Sequence, residues 1–129
     1  MDKNLYQNYQ QNAVISAAPE ELVTMLYNRL IKDIKVAIMA VQKSNIEAAN
    51  KAILHAQDIL IHLMGTLNTQ IEVGNSMMLM YDYMNRRLAE ANIKKDREIL
   101  QEIQSYAEEI KDTWVTAMKQ VKMEKAHGA

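Results

Sequence analysis

Helical periodicity is the feature that most constrains the fold of this chain. In four long stretches, apolar residues recur at alternating three- and four-residue intervals, which is the period of one face of an α-helix. Only three glycines and one proline occur in 129 residues, so the many tight turns of a β-rich fold are not favoured. The pattern predicts an all-α protein, an antiparallel up-down four-helix bundle.

Signals for helix ends divide the chain further. Pro19 is acceptable in a first helical turn, Ser44 and Glu47 have capping-box spacing, and Asn75 is a favourable N-cap. The predicted segments are an N-terminal arm over 1–18, helices over about 19–43, 44–69, 75–92 and 96–123, and a frayed tail over 124–129. The arm is polar and is predicted to be flexible.

Each predicted helix has one apolar stripe that is expected to form the core. The stripes are Val23, Leu26, Leu30, Ile34, Ala37 and Val41; Ala49, Ile53, Ala56, Leu60, Leu63 and Leu67; Met77, Tyr81, Met84, Leu88 and Ala91; and Leu100, Ile103, Ala107, Ile110, Trp114, Ala117 and Val121. We therefore expect Tyr81 and Trp114 to support the fold rather than to contact a partner.

Composition argues against several classes of protein. The formal net charge is −1, so there is no basic excess to attract nucleic acid or an anionic membrane. Cysteine is absent, which excludes disulfides and thiolate metal sites. No stretch approaches the ~20 apolar residues of a transmembrane helix, and the N-terminus lacks the apolar core of a secretory signal. We expect a soluble, cytoplasmic protein without membrane insertion.

A second set of large apolar residues lies off these stripes on the first three helices. Leu79 and Tyr83, for example, lie roughly 160–200° from the stripe of the third helix at about 100° per residue. The residues assigned to a partner-binding groove are Leu22, Met25, Leu54, Ile61, Leu79, Met80 and Tyr83; Val36 and Met39 also lie off the first stripe. Periodicity leaves three interpretations open: scattered exposed residues, a homodimer interface of the free protein, or a groove for a partner helix or peptide.

Candidate catalytic and metal-binding patterns are weak. His55, Asp58 and His62 share part of one helix face, but a zinc or iron site needs three or more convergent, supported ligands. A phosphotransfer role for His62 is an alternative, although Gly65 stands where such domains usually have a lysine. We predict no catalytic residues, no metal, no cofactor and no enzymatic activity.

The most specific motif lies in the third predicted helix. Residues 80–88, MYDYMNRRL, followed by Glu90-Ala91-Asn92 and Asp96, closely resemble the L-Y-D-Y-M-x-R-R-L…A-N…D signature of the flagellar export chaperone family FliS. Segments 9–14 (YQQNAV), 17–22 (AAPEEL), 25–27 (MLY), 56–59 (AQDI) and 112–114 (DTW) resemble other landmarks of this family in the same order. Two departures are Ala18, where the family usually has Ser or Thr, and Val73 in place of the first glycine of a pair.

The resemblance implies a four-helix bundle and a cytoplasmic chaperone. Such proteins bind the disordered C-terminal segment of flagellin, prevent its premature polymerisation, and deliver it to the flagellar type III export gate. The resemblance also implies that Tyr6 and Tyr9 in the arm contribute to docking on the gate protein FlhA. On this interpretation Leu79 and Tyr83 face outward because flagellin is their intended neighbour, and Tyr83→Ala is expected to affect binding more than folding.

Overall fold

The described part of the chain is a bundle of four helices. The computed structural model describes residues 20–127, which form α1 (Glu20–Gln42), α2 (Ile46–Gly65), α3 (Glu72–Lys94) and α4 (Arg97–His127). Each helix packs along its neighbours in a ring in which α1 and α3 lie on one diagonal and α2 and α4 on the other. The prediction of an all-α four-helix bundle is confirmed. Tyr6 and Tyr9 lie outside the described residues.

The predicted stripes supply most of the core. The stripe residues of α1 and α2 are buried except Val41, and those of α3 are buried except Met77. In α4, Leu100, Ile103 and Ala107 are buried, whereas Ile110 and Trp114 are half-buried and pack against the core from its edge. The core is therefore densest around α1 and α2, which also make the most extensive helix–helix contact.

The link between α1 and α2 differs from the predicted capping box. Ser44 has the left-handed conformation, with φ of 57°. Its N–H donates to the Val41 carbonyl at 3.0 Å, and the Asn45 N–H donates to the Ala40 carbonyl at 2.8 Å, the pattern of a Schellman helix end. The side chain of Asn45 then accepts from the Ala48 N–H. The prediction that Ser44 caps the second helix was wrong, because Ser44 belongs to the end of the first.

The link between α2 and α3 lies earlier in the chain than predicted, because α2 ends at Gly65 and α3 begins at Glu72. Asn75 is therefore inside the helix, where its N–H donates to the Ile71 carbonyl at 3.0 Å, and its predicted capping role was wrong. Gly74 is buried against the loop: a Cβ atom at this position would lie 1.9 Å from the carbonyl oxygen of Asn68. Glycine is needed here because the loop backbone occupies the space of a side chain.

The last link is a tight turn at Lys95, whose φ is 52°. Asp96 follows it, and its Oδ1 accepts from the Glu98 N–H at 2.9 Å, as expected of an N-cap. α4 then continues to His127, so the segment from 124 to 127 is helical rather than frayed.

An aromatic cluster joins three of the helices. The hydroxyls of Tyr27 on α1 and Tyr81 on α3 form a buried hydrogen bond of 2.5 Å across the bundle. The Tyr27 ring packs edge-to-face on Trp114 of α4, with ring centroids 6.4 Å apart. The Trp114 Nε1–H donates to the Thr24 hydroxyl at 2.9 Å, which is a second contact between α4 and α1. These contacts fix the rotation of α1, α3 and α4 relative to one another.

Burial of the two tyrosines shifts their ionisation. Desolvation raises the pKa of Tyr27 to about 12, although its hydrogen bond to Tyr81 opposes the shift. Desolvation raises the pKa of Tyr81 further, and the proximity of Tyr27 adds to the effect. Both hydroxyls thus stay protonated in the fold at a pH where the unfolded chain releases the protons.

We expect this difference to weaken the fold at alkaline pH. Well below pH 10 both tyrosines are protonated in both states, so the free energy of unfolding does not depend on these groups. Between pH 10 and 12 the unfolded chain loses up to two protons that the fold retains, so stability should fall by as much as about 2.7 kcal/mol per pH unit. Urea unfolding at pH 9, 10 and 11 measures the slope. The double variant Tyr27→Phe/Tyr81→Phe lacks both titrating hydroxyls, so its free energy of unfolding should depend less on pH. If the wild type and the variant show the same pH dependence, the two tyrosines are not its cause.

Candidate protein-binding surface

Most of the predicted groove residues are exposed in the structure. Leu22 and Met25 on α1, Leu54 and Ile61 on α2, and Leu79 and Met80 on α3 expose between 39 and 64% of their surface. Each helix nevertheless buries its opposite face in a closed core, so these residues are not displaced core residues. Large apolar side chains that remain outside a complete core are typical of a protein-binding surface.

The exposed residues do not line a single groove. α1 and α3 lie on a diagonal of the bundle and their backbones do not approach each other. The patch on α1 and the patch on α3 therefore cannot be two walls of one inter-helix groove. α2 packs against both helices, so Leu54 and Ile61 lie between the two patches. A partner that contacts all six residues must extend around the bundle.

Tyr83 differs from the prediction. It is half-buried and packs against the core rather than facing solvent. Its ring makes an edge-to-face contact with Tyr106 of α4, with centroids 6.2 Å apart, and its hydroxyl donates to the Glu102 carboxylate at 3.3 Å. The expectation that Tyr83 faces outward was wrong, because α4 packs along this side of α3.

Ionic contacts surround Tyr83. The Arg87 guanidinium donates to Glu102 of α4 at 3.2 Å and to Glu90 of its own helix at 2.5 Å, and Lys94 donates to Glu90 at 2.9 Å. The hydrogen bond to Glu102 raises the pKa of Arg87, whereas hydrogen bonds from Lys94 and Arg87 lower the pKa of Glu90. These side chains expose between 29 and 59% of their surface, so water screens the ion pairs and their contribution to the free energy of unfolding is small.

The contact between α2 and α3 is also polar. The Asn92 side chain donates to the Asn50 side-chain oxygen at 2.7 Å, and the Gln57 side chain donates to the Asn85 carbonyl at 3.3 Å. The buried Oδ1 of Asn85 has no protein partner among the described residues. Both long edges of α3 are therefore held by polar contacts, and its apolar contribution comes from a narrow stripe.

His55 and His62 do not belong to a metal site among the described side chains. His55 pairs with Asp33 of α1, which ties α2 to α1 on the surface, and His62 is exposed near the end of α2. Within residues 20–126, whose side chains the structure describes, no three histidine or carboxylate side chains converge in a way that could hold a metal ion. No helix in the same range has the length and apolar character that crossing a bilayer requires.

Two exposed residues were missing from the predicted groove. Val36 and Met39 expose 44 and 54% of their surface on the same helix as Leu22 and Met25. The signal that could have identified them is their spacing, because each lies fourteen residues after one member of that pair. A fourteen-residue offset is two heptads and returns to the same face of a helix.

The fold and surface define a class: a helical bundle with a complete core and large apolar residues exposed on the outer faces of its helices. Comparison with known proteins then gives the family. The family model described as flagellar protein FliS matches residues 2–121, and the chain belongs to this family. The resemblance found in the tyrosine-rich segment is confirmed.

Individual relatives agree with the family match. The chain is 42% identical over 127 residues to the flagellar secretion chaperone FliS of Bacillus subtilis (strain 168), covering 98% of this chain and 95% of that protein. It is 27% identical over 107 residues to the protein of the same name from Salmonella typhimurium, covering 81 and 79%. A solved structure described as a flagellar chaperone from bacteria superimposes with a TM-score of 0.73 at 16% identity, covering 93% of this chain and 99% of that one, which supports the fold.

The different environments of Tyr81 and Tyr83 predict different effects of their substitution on stability. Tyr81→Ala should lower the free energy of unfolding by about 3–5 kcal/mol, because it empties the core and removes the partner of Tyr27. Tyr83→Ala should cost about 1–2 kcal/mol, because it removes a half-buried ring and its contact with Tyr106. Urea unfolding of both variants at neutral pH tests the ranking. A Tyr83→Ala protein as stable as the wild type would show that the ring does not support the α3–α4 contact.

Proposed function

We propose that this protein is a cytoplasmic export chaperone that binds the disordered C-terminal segment of flagellin. By covering that segment it prevents premature polymerisation, and it then delivers flagellin to the flagellar type III export gate through FlhA. No enzymatic step is part of this role. The family supports the proposal, and the observation that carries it is the exposure of large apolar residues around a complete core.

The distribution of these residues suits an unfolded partner. A folded protein presents one rigid patch, whereas a disordered segment can extend over several helices and order as it binds. The exposed pairs Leu22/Met25, Leu54/Ile61 and Leu79/Met80 lie on three different helices. A disordered segment loses conformational entropy when it binds, and apolar contacts on three helices would offset this cost.

Substitutions on α2 test flagellin binding. Leu54→Ser/Ile61→Ser should weaken binding of a flagellin C-terminal peptide by about tenfold or more, about 1.4 kcal/mol, because two exposed apolar contacts are lost. The urea midpoint should hardly change, since neither residue is in the core. Ile93→Ser is the matched control: Ile93 is 85% exposed and is not in the proposed set.

Titration calorimetry measures the affinities, and sedimentation equilibrium of the free protein separates peptide binding from a homodimer interface. If the α2 variant binds the peptide with wild-type affinity, these residues are not part of the site. If the variant instead changes a dimer into a monomer while peptide binding is unaffected, the exposed α2 face is a homodimer interface.

The arm provides a separate test of gate docking. Tyr6→Ala/Tyr9→Ala should leave the unfolding transition unchanged and reduce binding of the chaperone–flagellin complex to FlhA. Both residues precede the described bundle, and measuring the unfolding transition of the variant beside its docking separates the two effects. A pull-down with purified FlhA measures the effect. If the variant complex binds FlhA as well as the wild-type complex does, Tyr6 and Tyr9 are not required for docking.

A further inference from the structure

The outer face of α1 has a regular pattern that folding does not explain. Three layers of two residues repeat every seven positions, with apolar residues in the first and third layers and cations in the middle. The layers are Leu22 and Met25, Arg29 and Lys32, and Val36 and Met39. All six side chains are exposed, and at about 100° per residue they lie within about 100° of the helix circumference. We call these six residues the α1 outer face.

The apolar layers are separated by a defined distance. Leu22 and Val36 are fourteen residues apart, as are Met25 and Met39, so about 21 Å of helix lies between the two layers. The opposite face of α1 is fully occupied by the core, from Val23 to Ile38. The four apolar outer residues are not part of the core, and each exposes between 39 and 54% of its surface.

The central cations are available for a partner. Among the described residues, neither Arg29 nor Lys32 forms an ion pair. Asp33, the nearest carboxylate in sequence, instead pairs with His55 of α2. Arg29 in particular can bind a carboxylate with two parallel hydrogen bonds.

We infer that the α1 outer face docks an amphipathic helix of another protein whose contact stripe is apolar at both ends and acidic in the centre. Apolar layers supply contact area, and a charged layer between them sets the register of the two helices and excludes basic partners. The inference deepens the proposed function and rests on it for the identity of the partner, since Leu22 and Met25 belong to both surfaces.

Two other occupants match this pattern less well. Residues 1–19 contain a single carboxylate, Asp2, which is followed directly by Lys3, so this segment has no acidic centre. The outer side of α4 in a second copy is acidic, but among the described residues of α4 only Tyr106 and Met123 are large, apolar and exposed. It therefore lacks the two apolar layers.

Two designed peptides test the inference on the full-length protein. Both are amphipathic helices of about 21 residues with leucine pairs in the outer two layers; one has a glutamate pair in the central layer and the other a lysine pair. Fluorescence anisotropy should show that the glutamate peptide binds at least tenfold more tightly. Arg29→Glu/Lys32→Glu should reverse this preference, whereas Arg97→Glu/Lys119→Glu, which changes two exposed cations on α4, should leave it within twofold.

Several results would overturn the inference. One is equal affinity for the two peptides, and another is unchanged preference in Arg29→Glu/Lys32→Glu. Deletion of residues 1–18 that tightens glutamate-peptide binding tenfold would assign the face to the arm, and a dimer that the charge reversal dissociates would assign it to a second copy. If the charge-reversed protein does not fold, judged by its circular dichroism, Arg29→Gln/Lys32→Gln replaces it and should abolish the preference.

A flagellin C-terminal peptide in the same assay separates the two proposals. If flagellin binds but Arg29→Glu/Lys32→Glu leaves its affinity unchanged and the designed peptides do not bind, the α1 inference is wrong and the chaperone function stands. If the glutamate peptide binds with the expected charge dependence and flagellin does not, the docking face stands and flagellin is not its partner.

Discussion

The hydrogen bond between the Tyr27 and Tyr81 hydroxyls is the contact on which the arrangement of the helices depends. It lies inside the bundle and connects the two helices that are otherwise separated by the diagonal. Each hydroxyl satisfies the other, so neither is left as an unpaired polar group in an apolar environment, which would cost about 1–3 kcal/mol. The contact of Tyr27 with Trp114 extends the same constraint to α4.

The hydrogen bond between Tyr27 and Tyr81 also determines which residues of α3 are exposed. With Tyr81 directed at Tyr27, Leu79 is turned about 200° away and faces solvent, where it is 64% exposed. Tyr83 is turned by the same angle in the other direction, but α4 covers that edge of α3 and half-buries it. Two residues at similar angles to the core stripe thus have different environments, because Glu102 and Tyr106 of α4 contact Tyr83 whereas Leu79 remains exposed.

The features of the fold that depend on helical periodicity could be predicted from the sequence. The all-α class, most of the first three stripes and the burial of Tyr81 follow from the three–four spacing and are observed, whereas the α4 stripe is buried only from Leu100 to Ala107. Helix ends were less predictable, because Ser44, Asn45 and Asn75 are all good caps and backbone geometry decides between them. Ser44 takes the left-handed position at the end of α1, which leaves Asn45 to cap α2. The exposure of Tyr83 was predicted wrongly because helical periodicity gives the direction of a side chain around its own helix but not where α4 packs against α3.

The tyrosine-rich segment that identified the family is mainly a packing element in this structure. Tyr81, Met84 and Leu88 are in the core, and Tyr83 and Arg87 contact Glu102 of α4. Met80, Asp82 and Arg86 are its exposed members, and two of these three pair with each other. The apolar stripe of α3 is buried in the core, and the polar contacts along its two edges join it to α2 and α4. The most recognisable segment of the sequence therefore fixes α3 in place, while the surfaces proposed for partners use less distinctive leucine, isoleucine and methionine residues on the outer faces of the helices.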